Sequence, residues 1–249
     1  MNSRDVVAAN REFYDALWSD ARLQDPRRFN TWPLVSGLVA AAPDRLEIGP
    51  GLRPRLPIAG THFLDISPPA IEQLNARGGI ARLGEITSLP YGDAAFDLVA
   101  AFDVVEHVED ERQVFRELSR VLKDKGVIVF SVPLHARLWT EFDDRVGHAR
   151  RYEPAELQAI LSSHGFVIER TAKFGMKPAN PRLVSFGMDW LQRHRSWAMR
   201  WYNLVFNPIG MLLQKRLRWA PGLIDTAEID GLLLVCRRER RLAPASVSP

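Results

Sequence analysis

The sequence predicts an α/β fold with a mainly parallel sheet. The first observation is that short apolar stretches of strand length alternate with segments of helical periodicity through the middle of the chain. The second is the composition: 46% hydrophobic and 25% charged residues over 249 positions are typical of a globular protein with one core. We therefore expect a single domain.

Each element follows from its hydrophobic pattern. Helices at 3–20 and 32–42 are predicted to precede the sheet, because apolar residues recur there near helical spacing. Short apolar stretches predict strands at 45–48, 62–64, 80–83, 96–101, 127–132, 167–173 and 231–237. Further helices are predicted at 69–76, 111–123 and 154–164.

Composition argues against several classes of protein. The first residues lack the basic-then-apolar pattern of a secretory signal, and no stretch is long enough to span a bilayer, so we expect a cytoplasmic protein. The single cysteine, Cys236, lies in an apolar stretch and is expected to be a buried thiol. The net charge is +3 and most basic residues are scattered, so no nucleic-acid partner is expected.

A glycine-rich turn ends the first predicted strand. At Gly49 and Gly51 a backbone without side chains can approach a ligand. A dinucleotide-binding turn would have a third glycine at position 54, but the residue there is Pro54, which discourages the helix that would bind a pyrophosphate. The turn therefore argues against NAD or FAD as the cofactor.

An acidic residue, Asp65, ends the second predicted strand. A carboxylate at this position can accept hydrogen bonds from both hydroxyls of a ribose, which suits a nucleoside cofactor. The same side chain could instead cap the helix predicted to begin near Pro69. Taken alone, this segment leaves both interpretations open.

The most informative motifs lie between 84 and 133. They are a turn and strand at 84–99, an acidic exit with a histidine at 103–108, a helix end at 117–123, Gly126, and Ser-Val-Pro at 131–133. In this order they resemble the class I S-adenosylmethionine-dependent methyltransferases of the type 11 group, which includes enzymes of ubiquinone and menaquinone biosynthesis. The resemblance covers roughly residues 45 to 173.

This resemblance implies a Rossmann-like fold: a seven-stranded, mainly parallel sheet with helices on both faces. Within one domain, 1–249, helices at 1–44 would precede a cofactor-binding core at 45–176 and 229–240, and a helical cap would be inserted at 177–228. The cofactor would be S-adenosylmethionine. Its contacts would come from Glu47, Gly49, Gly51, Asp65, Ile66, Glu85, Ile86, Phe102 and Asp103.

The roles of these residues also follow from the resemblance. The turn at 47–51 would hold the methionine part of the cofactor, Asp65 the ribose and Ile66 the adenine. The chain departs from the family pattern at two places. The third glycine of the turn is replaced by Arg53 or Pro54, and Lys125 replaces the first of two glycines before the fifth strand.

Two histidines are candidates for catalysis. The methyl group of a sulfonium is already activated, so the protein mainly has to align the reactants, but an oxygen nucleophile usually also needs a base. His148, with Asp143 and Asp144 nearby to orient it, is the first candidate for that base. His107 is the second.

A metal site is an alternative use of the same region. Asp103, Glu106 and His107 resemble the E-x-x-E-H pattern that binds a divalent metal such as Mg²⁺ in ubiquinone-pathway O-methyltransferases. Because the Glu-His-Val sequence also occurs in metal-independent relatives, we do not assign a metal.

The insertion at 177–228 combines aromatic and basic residues. Trp190, Trp197 and Trp201 fall near one face of a predicted helix, with arginines between them. Three interpretations stay open. The segment packs on the core or in a homodimer, forms a lid over an apolar acceptor, or makes a peripheral contact with a membrane.

The favoured activity is methyl transfer to a hydroxyl of a small-molecule acceptor, such as a sugar, a quinone-like compound or another secondary metabolite. Methylation of carbon or nitrogen stays open. From another class of protein, the alternative is a non-catalytic scaffold that binds S-adenosylmethionine.

Overall fold

One sheet is the framework of the protein. The computed structural model describes residues 21–175, 197, 201, 204–205 and 207–239. The strands are β1 Arg45–Ile48, β2 His62–Asp65, β3 Ile80–Leu83, β4 Phe96–Phe102, β5 Leu122–Pro133, β6 Phe166–Lys173, β7 Trp219–Pro221 and β8 Gly231–Arg238. The helices are α1 Trp32–Ala40, α2 Pro68–Asn75, α3 Glu111–Val121, α4 Glu141–Arg145, α5 Pro154–Ser163 and α6 Asn207–Leu212.

The strand order is β3-β2-β1-β4-β5-β8-β6-β7. Strands β1 to β5 pair in parallel, whereas β8 lies antiparallel between β5 and β6, and β7 pairs antiparallel with β6. The chain leaves β1 towards one edge and returns to β4 on its other side, which creates a switch point between these two strands. The predicted Rossmann-like fold is therefore confirmed.

The predicted number of strands is wrong, because the described residues already form a sheet of eight strands and not seven. The additional strand, β7, lies inside the segment 177–228 that was expected to be helical, and it pairs with Arg170–Ala172 of β6. It has only three residues and ends at Pro221, so it shows no alternating pattern. A proline is tolerated there because an edge strand has one side without a partner.

Both faces of the sheet are covered, and the central strands alternate between two cores. In β5, Ile128 and Phe130 point into a core shared with α3 and α5, whereas Val127 and Val129 point into a core shared with α1. The neighbouring β8 alternates in the same way, and its Cys236 is fully buried. Burial raises the pKa of this thiol, as expected for a structural cysteine.

Several element boundaries differ from the sequence prediction. Strand β5 begins at Leu122 instead of 127, because α3 ends at Val121 and the chain enters the sheet directly. The predicted helix at 3–20 lies outside the described residues. Among the residues that the structure describes, none of the helices has the length and apolar character needed to cross a membrane.

Candidate active site

The glycine turn lies at the switch point between β1 and β4. Gly49 and Gly51 both have positive φ values, 64° and 51°, which favour glycine. A Cβ atom at Gly49 would lie 2.7 Å from Cγ2 of Val104, in the segment that follows β4. The turn is thus packed directly against the exit of β4, and it leaves bare backbone at the edge where open α/β sheets bind ligands.

Asp65 connects this turn to the next helix. Its Oδ2 accepts a hydrogen bond of 2.8 Å from the amide of Gly51, and its Oδ1 accepts one of 2.9 Å from the amide of Ser67. The N-cap position of α2 is Ser67, so Asp65 does not occupy the cap that the sequence left open. A carboxylate oxygen can accept more than one hydrogen bond, and ribose binding by Asp65 stays a prediction.

Glu47 is buried below the turn. Its Oε1 accepts a 2.8 Å hydrogen bond from the amide of Arg55, and its Oε2 accepts one of 2.9 Å from the amide of Leu56. Burial raises the pKa of this carboxyl to about 7, although the two amides oppose the shift. The contacts show that Glu47 fixes the loop after the turn, and a direct contact with the cofactor stays a prediction.

The other predicted cofactor residues lie around the same edge but differ in exposure. Ile66 and Phe102 are half-buried, and Glu85 is exposed. Ile86 is 5% exposed and belongs to the main core, so little of its side chain is left to border an adenine. Asp103 is exposed, with a positive φ of 53°, a conformation that costs energy for a residue other than glycine.

The hydroxyl of Ser131, in β5, holds Asp103 in place. It accepts a hydrogen bond of 2.9 Å from the Asp103 amide and donates one of 2.7 Å to Oδ1 of the same residue. The strained residue is therefore tied to the neighbouring strand from both its backbone and its side chain. Such strain often occurs at functional sites.

The first candidate base, His148, is held by a buried carboxylate. Both residues lie between β5 and α5, Asp143 in α4 and His148 in the loop that follows it, and the Nδ1 atom of His148 is 2.8 Å from Oδ1 of Asp143. The guanidinium of Arg151 donates hydrogen bonds of 3.0 and 2.9 Å to the two oxygens of Asp143. The side chains of Asp143 and Arg151 are 0% and 1% exposed, so this ion pair is shielded from solvent.

The pairing of Asp143 with Arg151 was not predicted from the sequence. Asp143 also accepts hydrogen bonds from the amide and hydroxyl of Thr140. The bond from the Thr140 amide and the reciprocal bond from the Asp143 amide to the Thr140 side chain form a capping box at the start of α4. The Thr-x-x-Asp spacing is a sequence signature of this motif. It could have identified Asp143, and not Asp144, as the residue fixed in place; Asp144 instead accepts a hydrogen bond from the indole of Trp139.

The structure brings the two predicted histidines together. The ring centroids of His107 and His148 are 4.8 Å apart, and Nδ1 of His107 is 3.2 Å from the carbonyl oxygen of Gly147. Glu106, which is 1% exposed, places Oε1 3.9 Å from Nε2 of His148. These residues sit where the exit of β4 meets the loop after β5.

Burial favours uncharged side chains in this cluster. The pKa of Glu106 is raised well above its usual value by burial and by the negative charges of Asp103 and Asp143. The pKa of His107 is lowered, also chiefly by burial. The Oε2 atom of Glu106 has no hydrogen-bond partner among the described residues, so this carboxyl retains bonding capacity.

The metal set predicted from the resemblance is not the set that the fold assembles. Ligand atoms of Glu106, His107 and His148 all lie within 4.8 Å of one another, whereas Asp103 is not part of the group. Two imidazoles and one carboxylate suit zinc or iron better than magnesium, which prefers oxygen ligands. The residues present therefore do not fit a magnesium site.

Comparison with known proteins identifies the part of the site that contains the glycine turn, Asp65 and the exit of β4. Residues 48–130 match the family model described as a methyltransferase domain. These residues form a methyltransferase domain, and the predicted resemblance to class I S-adenosylmethionine-dependent methyltransferases is confirmed. S-adenosylmethionine is the cofactor of this family, and the side-chain-free turn and the carboxylate of Asp65 fit it. The narrower resemblance to ubiquinone and menaquinone enzymes stays a prediction.

Individual relatives share only part of the chain. A probable S-adenosylmethionine-dependent methyltransferase of Mycolicibacterium smegmatis is 36% identical over 92 residues, 36% of this chain and 36% of the relative. A sarcosine/dimethylglycine N-methyltransferase of Halorhodospira halochloris is 38% identical over 69 residues, 26% of this chain and 25% of that protein. The chain thus spans about a third or less of the length of these curated relatives.

A solved structure confirms the fold over most of the chain. The S-adenosylmethionine-dependent methyltransferase from Thermotoga maritima superposes with a TM-score of 0.54 at 16% identity, covering 86% of this chain and 91% of that one. At this identity the likeness shows the fold alone. The likeness does not identify the acceptor.

Proposed function

We propose that this methyltransferase transfers the methyl group of S-adenosylmethionine to a hydroxyl oxygen of a small molecule, with His148 as the general base. The observation that carries the proposal is the 2.8 Å contact between Nδ1 of His148 and Oδ1 of Asp143. A histidine held in this way by a carboxylate is a common arrangement for a general base.

The buried ion pair fixes which nitrogen of His148 is basic. Arg151 binds both oxygens of Asp143 and stabilises the ionised carboxylate. The carboxylate accepts a hydrogen bond from Nδ1–H of His148, so the lone pair of the neutral ring lies on Nε2. This nitrogen is directed at the exit of β4, where Glu106 lies 3.9 Å away.

The exit of β4 links this nitrogen to the cofactor side of the site. Val104 packs against the glycine turn, and Glu106, two positions further along the chain, faces His148, so this short segment contacts the turn at one residue and the base at the other. An acceptor bound at the exit of β4 would contact both the glycine turn and His148. This position supports the proposal that His148 borders the acceptor.

The proposed chemistry is a displacement assisted by proton transfer. S-adenosylmethionine supplies a methyl group that is activated by its positively charged sulfur. Nε2 of His148 takes the proton of the acceptor hydroxyl as the carbon–oxygen bond forms and the carbon–sulfur bond breaks. The half-buried imidazole of His107 and the core residues around it restrict water at this point.

The first experiment is a screen of hydroxylated small molecules with methyl-labelled S-adenosylmethionine, followed by kinetics of two variants. His148→Asn should lower kcat by about 10²–10⁴-fold, because a positioned base contributes that much. Its affinity for the cofactor, measured by calorimetric titration, should stay near that of the wild type. His164→Asn is the matched control, since His164 directly follows α5 and its Nδ1 atom lies within hydrogen-bond distance of Ile160 and Ser163 of that helix and not of the site residues.

Two results would overturn parts of this proposal. If His148→Asn turns over within about threefold of the wild type, His148 is not the base. If neither S-adenosylmethionine nor S-adenosylhomocysteine binds, the activity itself is wrong. Binding of the cofactor with no transfer to any acceptor would favour the scaffold function.

Methylation of nitrogen is the second candidate function. It is favoured by the Halorhodospira halochloris relative, which is named as an N-methyltransferase and matches 69 residues. A neutral amine already has a lone pair and has less need of a base. Including amines in the screen and locating the labelled atom in the product distinguishes the two functions. A product methylated on nitrogen, together with unchanged turnover by His148→Asn, would favour this alternative.

A further inference from the structure

The segment 197–213, which follows the site residues in the sequence, carries exposed apolar side chains. Among the described residues, six large hydrophobic side chains between 197 and 213 are exposed: Trp197 55%, Trp201 41%, Leu204 65%, Ile209 49%, Leu212 83% and Leu213 74%. We call these six residues the apolar strip. Single exposed leucines are ordinary on protein surfaces, but six exposed large hydrophobic side chains within 17 residues of the chain are typical of a segment that binds a partner.

The strip is oriented by polar contacts with the domain. Behind α6, the side chain of Gln214 accepts a hydrogen bond of 3.0 Å from the Asn30 amide and donates one of 3.0 Å to the carbonyl of Arg28. Asn30 in turn donates a hydrogen bond of 2.8 Å to the carbonyl of Lys215. Met211 is buried on the same side. The leucines at 212 and 213 therefore face outward while their neighbours attach to the domain.

Positive charge accompanies the strip. Lys215, Arg216 and Arg218 follow it directly and are exposed. Between Asp189 and Asp225 the sequence contains six Lys and Arg residues and no Asp or Glu. The whole chain has a net charge of only +3, so the remainder of the chain has a net charge of −3. The positive charge is thus concentrated next to the exposed apolar side chains.

We propose that the apolar strip and its basic neighbours bind the surface of an anionic lipid bilayer. Tryptophan is favoured at the boundary between headgroups and acyl chains, leucine and isoleucine enter the acyl layer, and lysine and arginine bind anionic headgroups. A bilayer offers both an apolar layer and negative charge in one plane. A protein partner would have to combine an apolar patch with an acidic rim of matching shape.

The mode of binding would be peripheral. None of the described helices could cross a membrane, and α6 has six residues. A short apolar segment flanked by cations inserts only to the depth of the interface, and its binding depends on anionic lipid and on salt. This inference does not depend on the proposed methyl transfer, because neither the strip nor the basic residues belong to that site.

Sedimentation with vesicles tests the inference directly. We expect the full chain to bind vesicles of phosphatidylcholine with phosphatidylglycerol, and to bind far less to phosphatidylcholine alone or at high salt. The double variant Leu212→Asn with Leu213→Asn should weaken binding at least about tenfold, because both side chains are the most exposed of the strip. Lys215→Gln with Arg216→Gln should weaken binding to anionic vesicles only.

The control variant is Leu83→Asn, which changes a leucine that is 50% exposed in the edge strand β3. It should bind vesicles as the wild type does, and all variants should keep the wild-type thermal midpoint. Absence of vesicle binding, or equal binding by the leucine double variant, would overturn the inference. A dimer in light scattering that the double variant dissociates, without vesicle binding, would assign the strip to a second copy of the chain instead.

Discussion

Replacement of Glu47 by glutamine tests how the glycine turn is supported. The wild-type carboxyl is 1% exposed and receives amide hydrogen bonds from Arg55 and Leu56. Glutamine has nearly the same shape and retains an acceptor oxygen, but it cannot ionise. The substitution therefore removes the titration of this group while preserving most of the packing.

The size of the effect follows from the pKa of Glu47. Burial raises this pKa from 4.5 to about 7 in the folded protein, so the fold favours the protonated carboxyl. Below about pH 4.5 the group is protonated in both states and costs no stability. As the pH rises from 4.5 to about 7, the unfolded chain ionises first and the wild type loses about 3 kcal/mol of unfolding free energy, at 1.36 kcal/mol per pKa unit.

The assay is urea unfolding of both proteins at a series of pH values from acid to neutral. The difference in unfolding free energy between Glu47→Gln and wild type should shift by about 3 kcal/mol in favour of the variant across this range. Glu72→Gln, at an exposed glutamate of α2, is the matched control and should show no such shift. Parallel pH profiles for Glu47→Gln and wild type would refute the reasoning.

Two further substitutions test the two halves of the site. Gly49→Ala places a Cβ atom 2.7 Å from Cγ2 of Val104 at a φ of 64°, so we expect a loss of about 1–3 kcal/mol in stability and weaker binding of S-adenosylmethionine in calorimetry. Unchanged affinity would show that the turn does not contact the cofactor. Asp143→Asn breaks the buried pair with Arg151 and should cost about 3–5 kcal/mol in chemical denaturation. A loss below about 1 kcal/mol would mean that the pair is not sealed from solvent.

The sequence predicted the central sheet well because burial leaves a strong pattern there. Strands β4 and β5 are apolar on both faces, and a continuous apolar stretch of that length has few alternatives in an α/β chain. The edge strand β7 has no such pattern, since three residues at an edge are fixed mainly by hydrogen bonds to β6. Its position depends on contacts with residues about 50 positions away in the sequence, which a short stretch of sequence does not reveal.

In the site, too, some features follow from the sequence pattern and others depend on tertiary contacts. The motif order predicted that Gly49, Asp65 and Asp103 lie at the carboxyl ends of strands, and the sheet topology brings these ends to one edge. The contact between His107 and His148 could not be predicted, because it depends on how the loop after β5 folds back on β4. A backbone hydrogen bond holds the two segments together: the amide of Ala149 donates to the carbonyl of Glu106 over 2.8 Å.

The extent of family similarity coincides with a physical boundary in the site. The family match ends at residue 130, inside β5, and the loop with Asp143, His148 and Arg151 begins a few residues later. The first part contains the glycine turn, the carboxylate of Asp65 that is predicted to bind the ribose, and the exit of β4, and a shared cofactor would require these features whatever the acceptor is. In the proposed function the segment after β5 borders the acceptor, and its geometry is fixed by the contacts of the buried Asp143 carboxylate with His148 and Arg151. The choice of acceptor should therefore change when this loop is altered while affinity for S-adenosylmethionine stays the same, because the two requirements are met by different residues of the same sheet edge.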